Sequence, residues 1–206
     1  MVLSDEKMKG YIRRLLLSRM RILNDHGFYG LLLMHMTYAV STEVETACTD
    51  GVRITFGTDF LENLTDEELD FVMMHEILHV VLQHCMRGED RDQERFNIAC
   101  DIVVNSNILL ENKMDKRSIT LQKWGESMHL APDGKEGYEY TAEQVYKAFI
   151  EDDECAEALR GAVPLHKAYD VDRRTCGGKN ESYDGVRVHV SSLFGLKAYF
   201  VGELDD

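Results

Sequence analysis

No stretch of this chain reaches the roughly 18 consecutive apolar residues that a membrane-spanning helix needs, and it has no basic stretch either. Lys and Arg total 23 against 37 Asp and Glu, a net charge of −14. With nothing to neutralise phosphates, neither a nucleic-acid partner nor a membrane surface is expected. The opening residues, MVLSDEKMKGYIRRLLLSRMRIL, lack the small-residue cleavage site of a signal peptide. Their charges are scattered through the apolar positions, so they read as an amphipathic helix. The five cysteines (Cys48, Cys85, Cys100, Cys155, Cys176) are odd in number and form no CxxC pair. That pattern argues for reduced thiols and a cytoplasmic location. No internal repeat or low-complexity tract is visible. What remains is 206 residues with 44% apolar content, enough for one domain with a real core.

Apolar spacing predicts a first helix over residues 5 to 24, broken by NDHGFYG. The run LLLMHMTYAV (31 to 40) reads as a buried strand. The turn TDG (49 to 51) leads into VRITFG (52 to 57), which alternates as a half-buried strand does, and the two strands are expected to pair antiparallel. The next helix is the best marked. Thr65 and Glu68 form a capping box, Leu64 and Leu69 a hydrophobic staple, and Gly88 is the expected left-handed stop. Residues 94 to 112 form a second apolar helix, antiparallel to it across the short turn GEDRDQ. Thr141 with Gln144 opens a third helix, expected to run to about residue 160, and GVRVHV reads as a short late strand. The expected division is a domain over residues 1–160 and a loop and strand extension over 161–206, packed on the same domain.

The chemistry lies in HEILHVVLQH (75 to 84), where titratable groups interrupt a buried helix. An unsatisfied buried imidazole or carboxylate costs several kcal/mol or changes its protonation state, so something must satisfy these groups. His75 and His79 are four residues apart and emerge about 40° apart, one turn above the other. Two imidazole nitrogens in that relation suit one tetrahedral zinc. Glu76, about 100° round, is too far to ligate comfortably but is placed to reach a water. The pattern is H-E-x-x-H.

A catalytic zinc needs a third protein ligand. The metzincin pattern is excluded, because Leu82 and Cys85 stand where its glycine and last histidine belong. His84 points about 180° from His75 on a continuous helix, so it reads as a rim histidine. Equal rise in two antiparallel helices offers Asp101: with the turn centred near residue 90, His79 and Asp101 are equally distant from it. Asp101 also lies in a stripe, Asn97–Asp101–Asn105, of the kind that holds a ligand between supporting amides. Glu94 is too near the turn and Glu111 too far. A carboxylate-assisted hydrolase also needs an oxyanion stabiliser. Tyr138, Tyr140, Tyr169 and His166 are candidates, each read more simply as a packing or surface residue. The strand at 52 to 57 is expected to accept an extended peptide by strand addition.

These residues resemble a known family. TDG, LTDEEL, HEILH with a following His84, the turn RGEDRD, NIACD and the Val104–Asn105 pair are similar to the bacterial "putative metallopeptidase domain" that often precedes a von Willebrand factor A-like region. YTAEQVYKAF matches a later helix of that family, so the resemblance covers about residues 30 to 150. Phe96 stands where the family usually has Trp, and residues 161–206 match nothing in it. The resemblance implies an α+β, zincin-like fold in which a central HExxH helix packs against an antiparallel helix and a small β-sheet. It further implies Zn2+ held by His75, His79 and Asp101, Glu76 as the base, and a peptide or protein substrate. Members are often encoded beside AAA-type ATPases, which implies such a partner. A zinc-binding module or scaffold serving that ATPase, without catalysis, is the alternative reading.

Overall fold

The computed structural model describes residues 5–87, 91–113 and 128–151, with two short strands at 187–189 and 199–201. The first helix, α1 (Asp5–Asp25), buries Leu15 and Ile22 and is followed after one residue by α2 (Gly27–Leu33). The NDHGFYG break is therefore a sharp bend. Gly30 makes it feasible, because a Cβ there would stand 2.3 Å from the Leu23 Cα. The expected strand at 31–40 starts later, as β1 (Thr37–Ser41), since residues 31–33 finish α2.

β2 (Ala47–Thr49) and β3 (Arg53–Gly57) form a hairpin whose turn is organised by Asp50. Its Oδ1 accepts from the Val52 and Arg53 amides at 3.0 and 2.7 Å, and Gly51 takes the left-handed conformation at φ 89°. β1 pairs with β3 parallel, from Thr37 beside Arg53 to Ser41 beside Gly57. The expected antiparallel pairing is thus corrected. β2, unrecognised as a strand from the sequence, adds the extra reversal that returns β3 in the direction of β1. The sheet order is β2-β3-β1, extended by β4 (Arg187–His189) and β5 (Tyr199–Val201). Because β3 is paired on both edges, it has no edge left for strand addition of a peptide.

After the short helix α3 (Thr58–Asn63) comes α4 (Asp66–Val81), opened by the expected box: the Thr65 amide donates to Glu68 Oε2 at 2.7 Å, and the Glu68 amide to Thr65 Oγ1 at 3.2 Å. α4 is buried nearly all round, packing α1 through Ser18 and Arg21, both bonded to Asp70. Its end differs from expectation. Leu82 caps it, Gln83 adopts the left-handed conformation at φ 56°, and a short helix α5 (His84–Arg87) follows, so α4 stops short of Gln83; Gly88, the expected stop, lies outside the described residues. Next is α6 (Gln93–Glu111), whose N-cap Asp92 accepts from the Arg95 amide at 2.9 Å.

One core joins α1, α2, α4, the sheet and the later part of α6, with Leu15, Tyr38, Phe56, Met73 and Ile108 fully buried. A second lies between the other side of α6 and residues 128–149, around Ile102, Met128 and Phe149. Each fully buried aliphatic or aromatic side chain contributes about 1.5–3 kcal/mol. The second core needs close approach: the 3-10 turn Gly137–Glu139 sits where a Cβ on Gly137 would stand 2.5 Å from the Ile102 carbonyl oxygen. α7 (Ala142–Glu151) closes it, starting from Thr141, whose amide donates to the Gln144 side chain at 2.8 Å. The expected continuation of that helix to 160 lies outside the described residues. The molecule is mixed α/β and mainly helical, with a small sheet.

Candidate metal centre

α4 and α6 bring His75, His79 and Asp101 together. His75 Nε2 and His79 Nε2 are 2.9 Å apart, and Asp101 Oδ1 stands 3.4 Å from the first and 3.2 Å from the second. All three residues are almost wholly buried, as is Glu76. Four donors at about 2.0–2.1 Å round a tetrahedral ion are separated by roughly 3.3–3.4 Å. The observed triangle is close to one face of that tetrahedron. The chemistry of the donors points the same way: the Asp101 carboxyl group, and that of Glu76 next in sequence to His75, are buried together with the imidazoles, a setting that would suit a divalent cation. Among the described residues, His75, His79 and Asp101 are the group able to hold a metal ion.

His79 and Asp101 meet although α4 stops at Val81, short of the end expected at Gly88.

Each imidazole is also held from behind. Asn105 Oδ1 faces His75 Nδ1 at 2.9 Å, and Asn105 Nδ2 donates to the Met128 carbonyl at 2.9 Å. The carbonyl can only accept, which assigns the amide nitrogen to it and leaves Oδ1 to accept from His75 Nδ1–H. The His75 proton is therefore on Nδ1, and Nε2 offers its lone pair to the centre. Asn97 plays no such part: its side-chain oxygen accepts from Gln93 on its own helix at 3.1 Å. Asn97 shares the face of Asp101 but lies one turn nearer the start of α6.

His84 corrects the sequence reading most. It is not a rim residue but buried, with Nδ1 3.1 Å from His79 Nδ1 and the two rings in T-shaped contact. The reading as a rim histidine assumed an unbroken helix, and the left-handed Gln83 breaks it. Burial, then the charges of neighbouring His75 and His84, hold His79 well below the ordinary imidazole value. Burial first, and Arg87 second, push His84 down to about 4. Both rings are thus kept neutral, the form able to bind metal or pass a hydrogen bond.

His129 is a second residue that the sequence did not single out. It is buried, its Nδ1 pairs with Glu136 Oε2 at 2.9 Å, and Ser106 donates to the same oxygen at 2.8 Å. No periodic signal marks it, because it lies in a loop. Of the candidate oxyanion stabilisers, Tyr140 donates its hydroxyl to surface Asp133 at 2.7 Å, and Tyr138 is exposed on the 3-10 turn. Tyr169 and His166 lie outside the described residues. No helix among those described is long and apolar enough to cross a membrane.

The family model described as "Putative metallopeptidase domain" matches residues 11–186, a longer span than the motifs alone indicate. No curated protein and no solved structure gives a significant match. The chain belongs to the putative metallopeptidase domain family.

Proposed function

We propose that this family member is a zinc-dependent hydrolase of zincin type, acting on peptide bonds, with His75, His79 and Asp101 as ligands and Glu76 as general base. The observation that carries the reading is the donor triangle of 2.9, 3.2 and 3.4 Å with a buried glutamate next in sequence to one of its members. Imidazole, imidazole and carboxylate are the donor set of catalytic zinc sites that keep a fourth position open. A zinc ion held there supplies Lewis acidity, acidifying a water and polarising a carbonyl.

The chain's own residues do the rest. Asn105 keeps the His75 proton on Nδ1, so the lone pair on Nε2 stays available. Glu76 takes a proton from the attacking water on its carboxylate and returns it to the departing amine. Its helical offset of about 100° from His75 keeps it off the ligand triangle. Burial excludes bulk water, which strengthens each electrostatic contact in the site.

The test compares wild type with Glu76→Gln on a broad peptide library, with zinc content measured in parallel. The reading expects equal zinc in both proteins and a hydrolytic rate lower by about 100-fold or more in the variant. Zinc lost from Glu76→Gln would make the glutamate a ligand. Zinc bound by a wild type that cleaves nothing would favour a binding module serving a partner such as an AAA-type ATPase.

A further inference from the structure

The segment that ends α4 is strained, and a set of hydrogen bonds holds it. Gln83 is a non-glycine residue at φ 56°, a left-handed conformation that a residue with a Cβ disfavours. Around it, the Leu82 amide donates to Leu78 and the Gln83 amide to Val80. The Leu82 carbonyl accepts from Arg87 Nη1 at 2.8 Å. The other side of that guanidinium is clasped by Glu143 of α7, through Nε at 2.8 Å and a second bond from Nη2. A helix stop of this kind ordinarily uses glycine. Here a longer-range device takes its place, and its consequence is that His84 turns inward against His79.

The proton between these two rings has a required direction. His79 can offer the lone pair of Nε2 to the centre only with its own proton on Nδ1. His84 Nδ1, 3.1 Å away, must then accept, with the His84 proton on Nε2. Reversed, the bond would put the His79 proton on Nε2 and remove a ligand. His84 is not one of the residues whose donor atoms converge on the triangle, and it meets His79 at the Nδ1 edge of the ring, not at Nε2.

We propose that His84 is a positioning residue that selects the metal-binding tautomer of His79, and that the Glu143–Arg87–Leu82 clasp holds the break that puts it there. The proposal rests on the metal-site reading of His75, His79 and Asp101. It makes metal affinity depend on α7, a helix that contributes no ligand. His75 and His79 are thereby locked in the same tautomer by different partners, an amide from α6 and a histidine from the broken end of α4.

The experiment uses the full chain with zinc in competition against a chromophoric chelator, and cobalt(II) as a spectroscopic stand-in. His84→Leu should weaken zinc by about 10–100-fold, the effect typical of losing an outer partner of a ligand. His84→Asn should recover most of the loss, since its Oδ1 falls near the position of the lost Nδ1 and can accept from His79. Glu143→Gln should weaken zinc by no more than roughly five-fold, the scale of a partly exposed ion pair. The cobalt(II) visible spectrum should keep one band shape throughout, showing an unchanged ligand set. Nitrogen-15 imidazole spectra of zinc-loaded wild type, which need no variant to fold, should place protons on His79 Nδ1 and His84 Nε2. A proton on His84 Nδ1 overturns the proposal. So does an affinity unchanged in His84→Leu, or equal losses in His84→Leu and His84→Asn. A changed cobalt spectrum in His84→Leu makes His84 a ligand and overturns it as well. If wild type takes up no zinc, the metal-site reading falls first, a result separate from all of these.

Discussion

Helix α4 begins on a reciprocal pair of local bonds, Thr65 with Glu68, and ends on contacts drawn from α5 and α7. The capping box at the first end lies within four residues and can be removed without touching the Arg14 and Arg21 contacts that α1 makes to Asp66 beside it. The second involves Gln83, Arg87 and Glu143, and the ring it repositions, His84, touches a candidate ligand. One end of the helix supports the fold, and the other supports the site. Variants at the two ends should therefore separate stability from metal affinity.

The largest effect sharpens that separation by removing a ligand outright. Asp101→Ala should release zinc to a mild chelator, losing more than the roughly 100-fold that an outer partner's removal costs. Circular dichroism should show the helices intact. Next comes the amide behind His75. Asn105→Ala should weaken zinc by about 10–100-fold, while Asn97→Ala, whose side-chain oxygen accepts from Gln93 on its own helix, should leave chelator competition unchanged.

The metal-free chain should also be acid-sensitive. His79 and His84 are held below the ordinary imidazole value of 6.5, His84 at about 4. The unfolded chain protonates both near 6.5, so it binds more protons than the fold as pH falls from there towards 4. Their contribution to stability is complete above 6.5 and is lost across that window. Urea midpoints measured from pH 7 to 5 should fall, and His84→Asn should flatten the slope.

At the helix start, Thr65→Ala should cost about 1 kcal/mol of stability in urea and leave zinc affinity where it was. A parallel loss of zinc would break the contrast between the two ends. The smallest effect is expected at Gln83→Gly, which relieves the left-handed strain. Stability should rise by no more than about 1 kcal/mol, because glycine also gains freedom in the unfolded chain.

What was legible in the sequence follows the same division. The Thr65 box, the Asp50 turn and the apolar runs of α4 and α6 are decided within a few residues, and they read correctly. Asp101 was also singled out in the sequence and does lie beside His79, although the equal rise that singled it out was applied to a helix longer than α4 is. Three features were not legible. The parallel pairing of β1 with β3 depends on β2, three residues long and too short for a periodic signal. α2 is seven residues of mainly apolar sequence, in which helix and strand periodicity cannot be told apart. The break at Gln83 carries neither glycine nor proline, since the contacts that stabilise it come from Arg87 and, through it, from Glu143 sixty residues downstream in sequence. The inward histidine followed from that break and was missed with it.

The central claim, a metal ion on His75, His79 and Asp101, is tested most directly by elemental analysis of protein purified without added metal. Wild type and Glu76→Gln should each carry close to one zinc per chain, and Asp101→Ala close to none. A folded wild type that contains no metal and takes up none on titration would contradict the account, as would an Asp101→Ala protein that keeps its zinc.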